Sequence, residues 1–537
     1  MHPSEDDPTT EADEEGPVTR LPESGDSEAG RVRGGRWRTA VRWLLLVLVV
    51  GVLAGGAAIV FQALLKAGTT GFLGVLTGHK PATTAADGAP RAATGFDRAW
   101  LLPPVTGGGA ALAAFIAVRA APETGGHGTD AAIAAAHRAP SRMRARVPLV
   151  KALTSSITLG SGGSGGTEGP IAQIGGGVGS VVARRAGLSY RHARAVVMTG
   201  LGAGIGAIFR APLGGAVLGA ELLYRKGVAW EVLLPAVGSS AVAFGVFGAV
   251  NGFGPLLGDQ WIPGETGLGE VALFVALGLL CGLLGRLYIG TFYGVHHLTE
   301  RWVRPGERGK RDGRRVPSWM PPAAGGLAVG VIGFAVPAVL GPGYGVIQQS
   351  LSREAVLGMS LWPVLLLPLV KIVATSLSIG TGGSGGLFGP GLFIGAAAGA
   401  AFWRVTFDGG LTSHGPEAFA VVGAAALLGP VVHAPIGVTL LVLEATRSPG
   451  LIVPVMVAML ASRAVIGGQT LYRSQPDKPK ADRAPVRSAV LRRLRRVPAA
   501  TTTPSGLAGA HARTGTAHNV IRPLGVDGAR KETAMDA

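Results

Sequence analysis

The chain has 537 residues and a mass of 54.3 kDa, with 47% hydrophobic residues, 15% charged residues and a mean hydropathy of +0.39. Soluble domains are about a quarter charged, so this composition excludes an ordinary soluble protein, and equally a disordered chain, a collagen or a secreted disulfide scaffold. The 87 glycines follow no Gly-X-Y period and indicate helices packed backbone to backbone, while the single Cys281 leaves no internal disulfide and no cysteine-built metal cluster.

The net charge of +17 is unevenly distributed. Residues 1 to 30 hold ten acids and one arginine and no aromatic residue, which predicts a disordered tail over residues 1–38 that turns basic at Arg31, Arg33, Arg36 and Arg38. With Arg42 this flank precedes the apolar stretch 43–65 and places the N terminus in the cytoplasm. That stretch is too long for a signal-peptide core and lacks a cleavage site, so no secretory signal is expected. Further apolar stretches run over 98–119, 146–159, 171–183, 195–224, 229–250 and 268–292, completing a first membrane half, 39–300. Seven basic residues between Arg301 and Arg315, against Glu307 and Asp312, mark 301–316 as a cytoplasmic linker. The second half, 317–472, carries apolar stretches at 321–340, 361–379, 390–406, 417–445 and 450–468. The tail 473–537 has 13 basic and 5 acidic residues and reads as cytoplasmic and mostly disordered. Both ends inside require an even number of crossings. The Arg-rich segment 492–496 reads as juxtamembrane charge facing lipid headgroups, with no nucleic-acid partner expected. The tail has neither the length nor the apolar content for a pair of folded regulatory domains.

An internal repeat organises the membrane region. Residues 149–179, LVKALTSSITLGSGGSGGTEGPIAQIGGGVG, match residues 369–399, LVKIVATSLSIGTGGSGGLFGPGLFIGAAAG, at 15 of 31 positions with a constant offset of 220. A second match follows in each half, APLGGAVLGAE from Ala211 and APIGVTLLVLE from Ala434. Halves with an odd number of crossings lie antiparallel, the inverted-repeat plan whose sites sit at the repeat interface. The short and Gly/Pro-broken apolar helices point to such a site, because irregular backbone at membrane depth is tolerated where it lines a cavity.

The duplicated loops Gly160–Gly165 and Gly380–Gly385 satisfy G-x-G-x-x-G, yet a dinucleotide fingerprint needs a soluble βαβ unit and an acid about 20 residues on, where this chain has Arg184 and Arg185. No P-loop lysine follows either, so no cofactor is expected. A flexible linker has no need to be duplicated with Gly-Pro at its end. A glycine-rich turn opening a helix leaves N–H groups aimed beyond the helix start, where the macrodipole adds positive charge. Pro170 and Pro390 suit the first helical turn. Two such helix starts converging from antiparallel repeats would hold an anion weakly enough to release it. Glu168 is the exception in this setting, since the repeat-equivalent position is Phe388. A carboxylate inside a membrane is costly and implies function. Ionised, it fills the place of an anion; protonated, it vacates that place, so Glu168 is a candidate gate.

These motifs resemble the CLC family of chloride channels and chloride/proton antiporters over most of residues 40–473. The resemblance implies an all-α transmembrane fold, a CLC-like inverted repeat of short, tilted and broken helices, in a homodimer with one pore per subunit. GGTEGP, Gly165–Pro170, is similar to the family's G-(K/R)-E-G-P element and GGLFGP, Gly385–Pro390, to its G-x-F-x-P element. The implied anion site comprises Gly126, His127, Gly128, Gly166, Thr167, Gly169, Gly386, Leu387, Phe388, Gly389 and Tyr472. Leu387 and Phe388 would bind through backbone N–H groups and Tyr472 through its hydroxyl. Three positions depart from the family. GHGTD, Gly126–Asp130, puts His127 where the family has a serine and Asp130 where it has a proline; Thr167 replaces the basic residue before the glutamate; and Leu222 stands where antiporters have an inner proton-accepting glutamate. Neighbouring Glu221 is the candidate for a proton path, although its repeat partner Glu444 favours a shared helix-end role.

The expectation is therefore a multi-pass protein of the plasma membrane, no enzyme, that moves small inorganic anions, chloride first, with a channel-like or weakly proton-coupled mechanism. A fully coupled antiporter, or a carrier of nitrate or fluoride, is the alternative. A nucleotide-using membrane enzyme and a cation-coupled carrier of an organic solute are the rivals from other classes.

Overall fold

The computed structural model describes residues 25–258, 268–303, 316–412 and 414–477. The segments 1–24, most of the 301–316 linker and the tail beyond 477 lie outside the described residues. Among the described residues, eight α-helices form the first half: α1 (Gly25–Thr69), α2 (Leu102–Ala120), α3 (Gly128–Arg138), α4 (Arg146–Gly160), α5 (Glu168–Arg185), α6 (Tyr190–Ile208), α7 (Pro212–Glu221) and α8 (Trp230–Asn251). Nine form the second: α9 (Leu268–Val303), α10 (Met320–Ala335), α11 (Tyr344–Ser350), α12 (Arg353–Gly358), α13 (Leu361–Gly380), α14 (Phe388–Asp408), α15 (Pro416–Val432), α16 (Pro435–Thr446) and α17 (Ile452–Ile466). Among the described residues there is no β-strand, only two isolated bridges. Among the described residues, six helical segments are long and apolar enough to span a bilayer, within α1, α2, α8, α9, α13 and α17. Their outer faces expose Leu44, Val52, Leu234, Leu283 and Leu460, as lipid-facing surfaces do.

Several elements differ from the sequence expectation. Helix α1 begins at Gly25, inside the segment read as a disordered tail, because an established helix propagates into its flank at one hydrogen bond per residue fixed. The apolar stretches 195–224 and 417–445 each divide into two helices, α6/α7 and α15/α16. At the breaks Arg210 (φ 56) and His433 (φ 55) turn left-handed ahead of Ala-Pro, where the pre-proline residue cannot stay helical. The breaks are anchored by side chains: Arg210 donates to the Asn251 carbonyl at 2.6 Å, and a His433 ring nitrogen lies 3.0 Å from the Gln469 carbonyl. Helices α3, α11 and α12 are absent from the apolar pattern, being short and rich in Ala, Gly and polar residues.

Equivalent residues pair with one another across the two halves. Gly166 and Gly386 form an antiparallel bridge, with N–H···O bonds of 2.8 and 2.9 Å in the two directions. Ser164 bonds Thr375 at 3.0 Å, and its repeat mate Ser384 bonds Ser155, the mate of Thr375, at 2.9 Å. A pseudo-twofold axis therefore passes between Gly166 and Gly386. Within each half, the helix behind the glycine loop packs on the next through glycines. A β-carbon added at Gly175 would lie 2.2 Å from the Gly200 carbonyl oxygen, and one at Gly395 would lie 2.3 Å from that of Gly423. Alanine at these positions would force the backbones apart, an overpacking cost of about 1–3 kcal/mol. The most extensive of the buried apolar clusters, from Ala54 on α1 to Tyr472 beyond α17, joins the halves.

Candidate anion site

The glycine loops meet where three helices begin: α3 at Gly128, α5 at Glu168 and α14 at Phe388. The last two start at repeat-equivalent residues. Every residue over 158–177 and over 383–400 is buried, so the N–H groups at these helix starts are shielded from bulk water and the partial charge they carry is little screened. A β-carbon added at Gly169 would lie 2.6 Å from the Gly386 α-carbon, which explains glycine at the contact of the two loops.

Glu168 is fully buried in this place. Its Oε2 accepts the Gly389 N–H at 2.9 Å and its Oε1 accepts the Tyr344 hydroxyl. The carboxylate thus sits on an amide of the opposite half, at the start of α14. The Tyr344 hydroxyl is also 2.9 Å from Thr167 Oγ1, and Tyr288 donates its hydroxyl to the Leu387 carbonyl at 2.9 Å.

The Gly126–Gly128 loop joins from one side. Gly126 N–H reaches the Gly382 carbonyl at 3.4 Å, and His127 bridges to Gly385. The His127 ring stacks on Tyr472, centroids 6.1 Å apart, and meets Phe292 edge-on at 5.5 Å. His127 Nδ1 is buried without a hydrogen-bond partner among the described residues, and the Tyr472 hydroxyl, beside Thr129, makes no bond of ordinary geometry. The ring nitrogen and the phenol hydroxyl are both able to hydrogen-bond a small ligand.

The segment carrying Tyr472 is fixed from its flanks. Asp130, in the first turn of α3, accepts the Ser474 N–H at 2.9 Å and the Ser474 hydroxyl at 2.7 Å. Tyr293 donates to the Leu471 carbonyl at 2.7 Å, and Leu471 N–H bonds the Val431 carbonyl at 3.1 Å. The two buried lysines stay behind the loops. Buried Lys151 donates to the carbonyls of Thr124 (2.9 Å) and Gly126 (2.8 Å), and buried Lys371 to those of Val339 and Gly341 (3.0 Å each). Each lysine thereby braces the turn before a short helix, α3 or α11.

Glu221 lies apart from this constellation. Its Oε1 and Oε2 accept the Ile436 and Gly437 N–H groups at 3.3 and 2.6 Å, at the start of α16. Tyr344, Tyr288 and the role of Asp130 escaped the sequence reading. The Gly-Pro-Gly turn before Tyr344 was the available signal, because Gly341 pairs with Gly162 and Gly165 as Gly126 pairs with Gly382 and Gly385.

Residues 108–467 match the family described as voltage gated chloride channel. The chain is 31% identical over 338 residues to the voltage-gated ClC-type chloride channel ClcB of Escherichia coli, covering 62% of this chain and 76% of that one. It is 29% identical over 375 residues to the H(+)/Cl(-) exchange transporter ClcA of Salmonella paratyphi A, covering 67% and 74%. A slow cyanobacterial Cl-/H+ antiporter has the same fold, with a TM-score of 0.64 at 22% identity over 80% of this chain and 96% of that one. The chain therefore belongs to the voltage-gated chloride channel (CLC) family. It is a multi-pass integral membrane protein of the anion-transporting class.

Proposed function

We propose that the protein carries small inorganic anions, chloride foremost, past the junction of α3, α5 and α14, and that Glu168 gates this path. The observation that carries the reading is the Glu168 carboxylate accepting the Gly389 N–H in a fully buried junction of helix starts. An anionic group already occupies the electropositive place, so a permeating anion must displace it, and protonation removes the charge that holds it there. The His127 ring and the Tyr472 phenol, stacked on each other, supply a second binding position on the same path. Two weak positions built of amides, a phenol and an imidazole suit passage better than one strong cationic site.

Transport is channel-like or weakly proton-coupled. Leu222, fully buried, offers no inner carboxylate, and both oxygens of Glu221 are engaged by amides of α16. The alternative, a fully coupled chloride/proton antiporter, draws on the likeness to relatives named as exchangers. His127 leaves room for nitrate or fluoride as the preferred ion. Two copies form a homodimer in the plasma membrane, with both termini cytoplasmic. The deciding measurement is the reversal potential of reconstituted protein under opposed chloride and pH gradients. A channel follows the chloride gradient alone, and a displacement by the pH gradient establishes coupling.

A further inference from the structure

The carboxylate of Glu168 has two oxygens, and the Gly389 amide satisfies one of them. The other is met by a side chain from the second half. Tyr344 opens α11 directly after Gly343, whose φ of 80 turns the chain sharply. Its ring stands edge-on to Phe209 at 6.1 Å, and Phe209 stands against Phe388 at 6.0 Å. The turn is held from behind by Lys371 on the carbonyls of Val339 and Gly341, and a β-carbon at Gly343 would lie 2.6 Å from the Phe393 ring on α14. The phenol is thus seated against the helix that also supplies the Gly389 amide.

We propose that Tyr344 is a positioning residue for the gate, a phenol latch that holds the Glu168 carboxylate in the anion site and releases it by turning its hydroxyl to Thr167. The proposal rests on Glu168 being the gate. A buried carboxylate needs donors in place of water. A phenol supplies one without adding a positive charge that would retain the permeating anion as well. Thr167 Oγ1, 2.9 Å from the same hydroxyl, is an acceptor already in reach. When a proton reaches Glu168 and its demand for donors falls, the Tyr344 O–H can rotate to Thr167 and leave no buried donor unpaired. The other titratable groups that act on Glu168 or feel its charge are Lys371 on α13, Tyr288 on α9 and Tyr472 beyond α17, and all of them remain in the variants below.

The test is chloride flux against pH for the full chain in vesicles. Tyr344→Phe keeps the ring and removes the latch, so flux at neutral pH rises several-fold and the midpoint of acid activation moves to higher pH by about one unit. Thr167→Val removes the alternate acceptor at constant shape, leaves the hydroxyl on Glu168 and moves the midpoint to lower pH. On a Glu168→Gln background neither substitution adds a pH response. Opposite displacements support the latch, because a purely structural role for these residues has no reason to give them. Displacements of the same sign, or none, overturn it while leaving the gate intact, provided that Glu168→Gln alone abolishes pH dependence. A Glu168→Gln protein that retains its pH dependence overturns the gate reading and the latch together.

Discussion

Glu221 and Glu444 cap each other's helices. Glu221 closes α7 and accepts the Ile436 and Gly437 amides at the start of α16; Glu444, near the end of α16, accepts the Leu213 and Gly214 amides at the start of α7, at 3.2 and 2.7 Å. Each carboxylate satisfies two of the unpaired N–H groups that a helix start presents, where the macrodipole also favours a negative charge. Removing either carboxylate therefore strips one helix end of its partners. Glu221→Ala and Glu444→Ala are each expected to cost about 1–3 kcal/mol, read as a lower thermal midpoint in detergent. Flux per folded protein and proton coupling stay as in the parent. A coupling ratio altered by Glu221→Ala but not by Glu444→Ala would instead put Glu221 on a proton route.

The gate itself has a simple signature. With Glu168 as the proposed gate, anion flux is expected to rise as pH falls, because the neutral side chain gives up its hold on the Gly389 amide. Glu168→Gln, which carries no titratable proton, is expected to give flux that is flat between pH 4 and pH 8 in reconstituted vesicles. Acid stimulation persisting in that variant would remove Glu168 from gating.

Selectivity is expected to depend on the stacked pair His127 and Tyr472. Tyr472→Phe deletes one neutral hydroxyl and is expected to change relative permeability between chloride and nitrate by about fivefold, the worth of a single neutral hydrogen bond. His127→Ser exchanges a ring nitrogen for a hydroxyl and is expected to shift the same series. Bi-ionic reversal potentials measure both, and an unaltered series in both variants excludes this stack from the path.

Asp130 connects that stack to α3 through Ser474. Asp130→Ala frees the segment that presents Tyr472 and is expected to reproduce the selectivity change of the Tyr472 variant while Tyr472 is still present. Wild-type selectivity in Asp130→Ala would show that the phenol is held adequately by Tyr293 and Val431.

The repeat and the two glycine loops were legible in sequence because close backbone approach tolerates only glycine, so the same geometry imposed the same letters twice. Glu168 stood out against Phe388 for the same reason. The breaks at Arg210 and His433 were not legible, since a left-handed turn made by a residue with a side chain carries no glycine to mark it; only the following Ala-Pro hinted at it. Tyr344 was hidden more deeply. It meets Glu168 across 176 residues of sequence, and its contact exists only once the halves have closed on each other.

The scaffold around the Gly166–Gly386 bridge is symmetric down to individual hydroxyl pairs, and at positions 168 and 388 that symmetry is broken by an acid in one half and an aromatic ring in the other. On the proposed path, the group that can exchange a proton belongs to one half only, so the two approaches to the junction differ. With Glu168 as the gate, rectification depends on the residues at these two positions, and exchanging them is expected to reverse its sense.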